Sequence, residues 1–407
     1  MHGAITAQPK DVGLSSARLK KLEDWAEGWV QSGRLPCLLT MVLRRGQVVH
    51  LHSTGKADIE RDISVTADTI FRFYSMTKPL TSVAIMQLYE GGHFQLDDPI
   101  TRFLPQFADM RVYASGSRGK YETVPAERDI TFRDLLSHTS GLTYGFMQEH
   151  PVDAMYRAAK IDFQTSNKTL AQMVDLVATM PLICQPGKAW NYSIATDVLG
   201  HLVAVISGRP FDEYLHERVT GPIGMVDTSF QIQPAQLPRF SGLYARDADD
   251  KLILMDDAQK SVFAVRREIF SGGGGLVSTA GDYMRFCRMM LNKGELDNTR
   301  LLGRKTVELM TANHLRGDMA DMGQPRFSES SYYGIGFGLG FSVMLDPVKA
   351  QILGTPGEYA WGGAASTAFW IDPAEELAVV MLTQLIPSST YPIRREARVL
   401  VYQAIID

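Results

Sequence analysis

Cysteine is scarce in this sequence: its 407 residues include only Cys37, Cys184 and Cys287. The three are odd in number and far apart in the chain, so a disulfide framework is not expected. None of them belongs to a pair with the spacing of metal ligands. The cysteines therefore indicate neither a disulfide-stapled secreted scaffold nor a zinc site.

Charge patches, a leader segment and long apolar runs are also missing. The formal net charge is -4 and the basic residues are scattered, which argues against binding to nucleic acid or to an anionic membrane. The opening residues, MHGAITAQPKDVGLSS, contain neither a basic nor an apolar leader region, and no run of about 18 apolar residues follows. These absences predict a cytoplasmic protein, and they leave its oligomeric state open.

Strand-like and helical patterns are distributed unevenly along the chain, of which 45% is hydrophobic. The strand patterns lie mostly near the two ends: a hairpin at 37–55 that turns at Arg45 and Gly46, and runs at 332–345 and 366–385. Helical patterns cover residues 17–33, 80–89, 131–137, 169–180, 194–206 and 395–406. Residues 231–260 and 313–331 are predicted to be long loops.

This order of elements predicts an α/β (α+β) fold in two parts. Residues 1–80 and 270–407 would form a sheet domain, and residues 81–269 a mainly helical domain inserted into it. His50 and His52 alternate along the predicted hairpin and are expected at the surface.

A serine followed three positions later by a lysine occurs three times, beginning at Ser53, Ser75 and Ser117. Glycine interrupts the first and third copies, in stretches that are typical of turns. Only Ser75 leads directly into a helical pattern, and Pro79 restricts it to the beginning of that helix. Lys78 can then reach the Ser75 hydroxyl, since positions i and i+3 share a helix face. The alternative is an ordinary helix cap, because serine is a favoured capping residue.

A nucleophilic serine also needs a proton acceptor and two N–H donors for the acyl oxygen. Tyr192, in PGKAWNYSIATDVLG, follows a turn and precedes a helical pattern, so it could share the proton-accepting role with a lysine. Gly362 and Gly363, in GEYAWGGAAS, let a backbone approach a ligand closely. Taken separately, Tyr192 is more simply a packing residue, and the glycines are more simply a tight turn.

Taken together and in order, these segments resemble the serine β-lactamase and penicillin-binding-protein superfamily, most closely the class C β-lactamase-like esterases called family VIII carboxylesterases. The resemblance covers most of the chain and rests on FRFYSMTKPLTSVAIMQL, DLLSHTSGL, PGKAWNYSIATDVLG, GPIGMVDTSF, GGGGLVSTAGDYMRF and WGGAASTAFWIDP. It implies a class C β-lactamase-like fold, with an antiparallel sheet flanked by helices and the active site at the interface with the inserted domain.

The resemblance also implies roles for individual residues. Ser75 would be the acylated nucleophile, with Lys78 and Tyr192 as its proton shuttle; which of the two is the base stays open. The backbone N–H groups of Ser75 and Ala364 would form the oxyanion hole. The residues expected at the substrate pocket are Tyr74, Trp190, Ile194, Trp361, Gly362 and Gly363.

Two departures from the β-lactamase pattern bear on the substrate. The third motif of true β-lactamases is Lys-Thr-Gly, whereas residues 361–363 are Trp-Gly-Gly, so the cation that would hold a carboxylate is missing. The second motif usually has an asparagine where this chain has Ile194. Both changes make the pocket more apolar, which favours a neutral ester over an anionic β-lactam.

His138, in DLLSHTSGL, could suggest a serine–histidine triad. Thr131 and Asp134 are typical of the cap of a short helix that ends near Gly141, which favours a structural role for His138. The chain contains no G-x-S-x-G, which argues against an α/β-hydrolase nucleophile elbow.

The function predicted from the sequence is hydrolysis of short-chain, apolar or aromatic carboxylic esters through an acyl-enzyme, with no cofactor or metal. The partner would be a small-molecule ester. Three alternatives remain: an acyltransferase that passes the acyl group to a second alcohol, a weak β-lactamase, and a non-catalytic penicillin-binding-like scaffold.

Overall fold

The computed structural model of the protein describes residues 4–117, 119–164, 166–265, 268–327 and 329–407. Its α-helices are α1 Ser16–Gln31, α2 Thr77–Glu90, α3 Phe132–Leu136, α4 Pro151–Ala158, α5 Leu170–Ala178, α6 Ala195–Ser207, α7 Phe211–Leu215, α8 Ala280–Leu291, α9 Arg304–Met310, α10 Pro347–Ala350 and α11 Ile393–Tyr402. No helix within these ranges is long and apolar enough to cross a membrane.

The strands form one large sheet and several short pairs. They are β1 Cys37–Arg44, β2 Gln47–Asp58, β3 Ile63–Ser64, β4 Phe71–Arg72, β5 Arg111–Ser117, β6 Lys120–Pro125, β7 Leu243–Arg246, β8 Leu252–Asp256, β9 Val277–Ser278, β10 Glu295–Leu296, β11 Thr299–Arg300, β12 Arg326–Phe327, β13 Ser330–Ser331, β14 Ile335–Phe337, β15 Ser342–Met344, β16 Tyr359–Gly362, β17 Ala368–Asp372 and β18 Leu377–Leu382.

The large sheet is antiparallel throughout, in the order β14-β15-β16-β17-β18-β1-β2-β3. The pairing of β18 with β1, in the interior of the sheet, joins the two ends of the chain. The predicted α/β fold, with an antiparallel sheet flanked by helices, is confirmed. The division into residues 1–80 with 270–407 and residues 81–269 stays a prediction.

Helices cover both faces of the sheet, so its central strands are buried along their whole length. Leu39, Met41 and Leu43 pack into the larger core, together with apolar residues of α2, α6 and α8. Leu38 and Val42 pack into a second core under α1 and α11. Burying a large aliphatic side chain contributes about 1.5–3 kcal/mol, so both faces hold the two chain ends together.

The turn of the first hairpin lies where the sequence predicts it. Arg45 and Gly46 have φ angles of 49° and 75°. Two positive φ angles in a two-residue turn suit the right-handed twist of the paired strands.

The structure corrects the surface position that the sequence predicts for His50 and His52. His50 is 4% exposed, and its Nδ1 lies 3.9 Å from Glu23 of α1, while His52 Nε2 lies 3.6 Å from Glu27. The expectation is wrong for His50, and His52 is only partly exposed, because α1 packs over this face of the hairpin.

The predicted helical segments correspond to α1, α2, α3, α5, α6 and α11, with ends that shift by a few residues. Residues 231–260 are not a plain loop, since they contain the β7–β8 hairpin. Residues 313–331 carry only β12 and β13 among their described positions. The β5–β6 hairpin, β16 and the helices α4, α7, α8, α9 and α10 are additions to the sequence-based expectation.

Candidate active site

Ser75 lies in a single 3₁₀ turn, Tyr74–Met76, between β4 and the beginning of α2. Strand β4 pairs with β9, which anchors the approach to this turn. Tyr74 has a φ of +43°, a left-handed conformation that costs a non-glycine residue about 1–3 kcal/mol. The strained backbone at Tyr74 therefore lowers the stability of the fold slightly, and it places Ser75 directly ahead of α2.

Lys78, on the first turn of α2, is buried at 1% exposure. Its Nζ donates to three oxygens: Ser75 Oγ at 3.3 Å, Tyr144 Oη at 3.0 Å and the Gly273 carbonyl at 2.7 Å. An ammonium group has three N–H donors and no acceptor, so this set of oxygens matches it. The structure thus fixes the Lys78 side chain at the nucleophile.

Tyr192 comes still closer to the nucleophile. Its hydroxyl donates to Ser75 Oγ at 2.5 Å, and Lys78 Nζ lies 4.6 Å from the centroid of its ring. The ring is packed against other rings, including His138, Tyr144, Trp190 and Trp361 at centroid distances of 5.1–6.3 Å. This packing holds the Tyr192 hydroxyl in place. The residue lies in the loop just before α6.

His138 supports Tyr192 and does not contact the nucleophile. Its Nδ1 lies 3.1 Å from Ser193 Oγ, and its carbonyl accepts a hydrogen bond from the Asn191 N–H at 2.9 Å. Burial lowers the pKa of His138 well below its usual value, and the positive charge of Lys78 lowers it further. The imidazole is therefore neutral near pH 7.

Two backbone N–H groups, those of Ser75 and Ala364, are available for an acyl oxygen. Among the described residues neither N–H has a hydrogen-bond acceptor, and both residues line the same cavity. Gly363 lets the backbone next to Ala364 come close to the Ser75 turn, because a Cβ atom at residue 363 would lie 2.3 Å from the Phe73 carbonyl oxygen. The end of β16 can therefore abut the Ser75 turn only if residue 363 is glycine.

Arg394, from α11, holds the turn that carries Ala364. Its guanidinium donates to the Gly363 carbonyl at 2.7 Å and to the Thr367 carbonyl at 3.0 Å, and it lies 3.3 Å from Glu329. The sequence did not point to this residue, since it lies 30 positions beyond Ala364 in the chain.

A cavity of about 600 Å³ opens onto Ser75 and Tyr192. Most of its lining residues are apolar or aromatic, and α11 contributes three arginines. The main lining residues are Phe146, Tyr332, Ile335, Met344, Trp361, Gly362, Gly363, Ala364, Phe369, Trp370, Arg394, Arg395 and Arg398. Trp361, Gly362 and Gly363 thus lie in the wall of the cavity that opens onto Ser75.

The other three predicted pocket residues, Tyr74, Trp190 and Ile194, do not line this cavity, and their place in a substrate pocket stays a prediction. Trp190 is 1% exposed and stacks behind the Tyr192 ring, and Ile194 is 2% exposed within the larger core. Tyr74 is directed to Phe263, whose ring lies edge-on at 6.4 Å. These three residues therefore lie close in sequence to Ser75 or Tyr192 without reaching the cavity.

Tyr144 is a site residue that sequence reasoning missed. Its hydroxyl receives a hydrogen bond from Lys78, and its ring lies 5.3 Å from that of Tyr192. Burial raises the pKa of Tyr144 well above 10, and the charge of Asp197 raises it further. The phenol therefore keeps its proton and serves as an acceptor for Lys78, a role that no local pattern in GLTYGF signals.

The assembled groups suit nucleophilic acyl transfer. Ser75 Oγ contacts two proton-transfer partners, and two N–H groups stand ready for an oxyanion, which is the arrangement that such chemistry requires. Within the described part of the chain, no three His, Cys, Asp or Glu side chains group closely enough to hold a metal ion.

Comparison with known proteins finds a family model and relatives that match most of the chain. The sequence model of the Beta-lactamase family matches residues 22–403. Protein Rv1367c of Mycobacterium tuberculosis is 36% identical over 362 residues, covering 88% of this chain and 87% of that protein. Esterase EstB of Burkholderia gladioli is 31% identical over 399 residues, covering 93% and 92%.

Among solved structures, the chain is similar to EstCE1, described as a hydrolase with promiscuous acyltransferase activity. The TM-score is 0.80 at 26% sequence identity, and the match covers 95% of this chain and 99% of EstCE1. The two proteins therefore share their fold over nearly the whole chain.

Proposed function

Because the chain belongs to the Beta-lactamase family and is related to family VIII carboxylesterases such as EstB, we propose that it is a serine carboxylesterase. Its substrates are short-chain, apolar or aromatic esters, and the reaction passes through an acyl-enzyme on Ser75. The observation that carries the proposal is the contact of Ser75 Oγ with Tyr192 Oη at 2.5 Å and Lys78 Nζ at 3.3 Å.

In the first half-reaction, Ser75 Oγ attacks the ester carbonyl carbon. In the reactive form Tyr192 has released its own proton to solvent, so the Ser75 proton passes to the phenolate oxygen of Tyr192, which is the nearer of the two partners. The Lys78 ammonium orients Ser75 and offsets the negative charge of the phenolate. The N–H groups of Ser75 and Ala364 bind the oxyanion. The proton then goes to the leaving alcohol, and the acyl group stays on Ser75.

In the second half-reaction, water takes the place of the alcohol. Tyr192 accepts a proton from the water as it attacks the acyl carbon, and the proton returns to Ser75 when the carboxylic acid leaves. The same groups thus act in both halves, with their proton-transfer roles reversed.

The cavity supports a neutral substrate. Trp361 stands where a β-lactamase has the lysine for a drug's carboxylate, and most of the lining residues are apolar or aromatic. Of the three arginines in the lining, Arg394 and Arg398 pair with Glu329 and Glu358, which offsets their charges, and Arg395 donates to the Gln351 carbonyl. A short acyl chain with an apolar or aromatic alcohol suits these surroundings, because burial of apolar surface supplies the binding free energy.

The experiment is hydrolysis of para-nitrophenyl esters from acetate to decanoate, run beside the Ser75→Ala variant. The proposal predicts activity that peaks at short acyl chains and disappears in the variant. Equal rates in both proteins would contradict it and would leave Ser75 as a helix cap in a non-catalytic scaffold.

Acyl transfer to a second alcohol is the other candidate, supported by the likeness to EstCE1, whose description includes promiscuous acyltransferase activity. It uses the same acyl-enzyme, with an alcohol in place of water. Addition of an acceptor alcohol during ester turnover separates the two: a transferase yields a new ester in proportion to the acceptor, whereas a hydrolase yields free acid.

A further inference from the structure

Asp197 is a buried carboxylate close to the site that the mechanism above does not use. It lies in the first turn of α6 and is 1% exposed. Its Oδ1 accepts hydrogen bonds from the Ser271 hydroxyl at 2.6 Å and from the Gly273 N–H at 3.0 Å. Both partners are donors, which suits an ionised carboxylate.

Gly273 links this carboxylate to Lys78. Its N–H is bound by Asp197, and its carbonyl, on the same residue, accepts the 2.7 Å hydrogen bond from Lys78 Nζ. A Cβ atom at residue 273 would lie 2.4 Å from Asp197 Oδ2 and 2.9 Å from the Tyr144 hydroxyl. Residue 273 therefore has no room for a side chain, because Asp197 and the Tyr144 hydroxyl already lie against its Cα.

The segment before β9 is held to α2 at other points as well. The Gly272 carbonyl accepts from the Thr81 hydroxyl at 2.8 Å, and the Leu276 N–H donates to Thr77 Oγ1 at 3.1 Å. These bonds fix the segment as a whole, but within the described ranges Asp197 is the only acceptor for the N–H of Gly273, the residue whose carbonyl meets Lys78.

We propose that Asp197 is a positioning residue for the acyl-transfer reaction: it fixes the Gly273 carbonyl against Lys78 and supplies the buried negative charge that offsets the lysine's positive charge. The inference rests on the proposed function and extends it. Burial raises the pKa of Asp197, and the charge of Lys78 opposes that rise, in keeping with the bonds that join both side chains to Gly273. A buried cation without such a counter-charge is costly, so Lys78 would withdraw from Ser75 if the charge were removed.

Asp197→Asn separates charge from shape. The amide oxygen can still accept from Ser271 and Gly273, so the local geometry is kept while the negative charge is lost. We expect kcat to fall about 10- to 100-fold with KM nearly unchanged, because misplacement of a catalytic group by about 1 Å costs on the order of 10²-fold. The rate at which a fluorophosphonate modifies Ser75, followed by intact mass, should fall in parallel.

Asp282→Asn is the matched control. Asp282 also lies in the first turn of a helix, α8, at 1% exposure, and it too accepts from one backbone N–H, that of Asp227, and one hydroxyl, that of Thr228. It has no link to Lys78. The control should lose thermal stability, while its kcat per folded molecule stays within about threefold of wild type.

The outcomes distinguish the two claims. Wild-type protein that reacts with ester and fluorophosphonate, together with an Asp197→Asn variant that is folded and reacts equally fast, overturns the role of Asp197 alone. Should Asp197→Asn fail to fold, Gly273→Ala, whose Cβ would lie 2.4 Å from Asp197 Oδ2 and so separates the carboxylate from residue 273, must still lower kcat with KM nearly unchanged. A folded Gly273→Ala enzyme with native kcat also overturns the role. Wild-type protein inert toward both reagents overturns the proposed function and this inference with it.

Discussion

Replacing Tyr192 by phenylalanine removes one oxygen from the site and little else. The Tyr192 ring packs against other rings, including His138, Tyr144, Trp190 and Trp361, and phenylalanine keeps that packing. What is lost is the hydroxyl 2.5 Å from Ser75 Oγ. A proton-transfer partner contributes about 10²- to 10⁴-fold in rate, which corresponds to about 3–5 kcal/mol in activation free energy. The free energy of unfolding should change far less.

The assay is steady-state hydrolysis of para-nitrophenyl acetate by wild type and Tyr192→Phe, with thermal unfolding of both proteins. Tyr156→Phe makes the same chemical change at a buried residue of α4 outside the cavity, and it should keep kcat within about threefold. A Tyr192→Phe enzyme with a similarly small loss would refute the reasoning, because proton transfer would then not pass through Tyr192.

Three further predictions concern the lysine, the glycine at the end of β16 and a buried histidine. Lys78→Ala should lower kcat/KM by about 10² to 10⁴, since it removes the other partner of Ser75; near-native activity would exclude it from the mechanism. Gly363→Ala should cost about 1–3 kcal/mol of stability and most of the activity, because its Cβ would lie 2.3 Å from the Phe73 carbonyl oxygen. The control is Gly28→Ala on α1, where a Cβ meets open space, and this variant should lose neither stability nor activity. Thermal unfolding and ester hydrolysis compare the two variants. Burial lowers the pKa of His50 from 6.5 to about 4. Between pH 6.5 and pH 4, His50 is therefore protonated in the unfolded chain but neutral in the folded chain. The free energy of unfolding should fall by up to about 3 kcal/mol as the pH drops through this range. His50→Asn should flatten this dependence in urea unfolding at several pH values, and an unchanged slope would contradict the assignment.

The parts of the fold that follow local rules could be predicted from the sequence. The first hairpin turns at Arg45 and Gly46 because two positive φ angles are needed there, and the Thr131–Asp134 pair caps α3 by mutual hydrogen bonds. The β7–β8 hairpin was missed because its strands are short and largely half-exposed, so they show no clear apolar alternation. His50 was misplaced because only the packing of α1 decides that its face is buried.

The candidate site shows the same division. Ser75, Lys78 and Tyr192 come together as their segments predicted, and Gly363 meets the Ser75 turn at the end of a strand. Tyr144 and Asp197 act through contacts between residues far apart in the chain, and a single tyrosine or aspartate carries no local signal for such a contact. Trp190 was expected in the pocket because it neighbours Tyr192, but its ring stacks on that of Tyr192 and is buried in the larger core.

The most direct test of the central claim is to quench the reaction with para-nitrophenyl acetate during its first turnovers and measure the intact mass of the protein. The account predicts one acetyl group per chain, located on the peptide that contains Ser75 and absent from the Ser75→Ala variant. A protein that hydrolyses the ester with the acetyl group on another residue, or with equal labelling of the variant, would contradict the account.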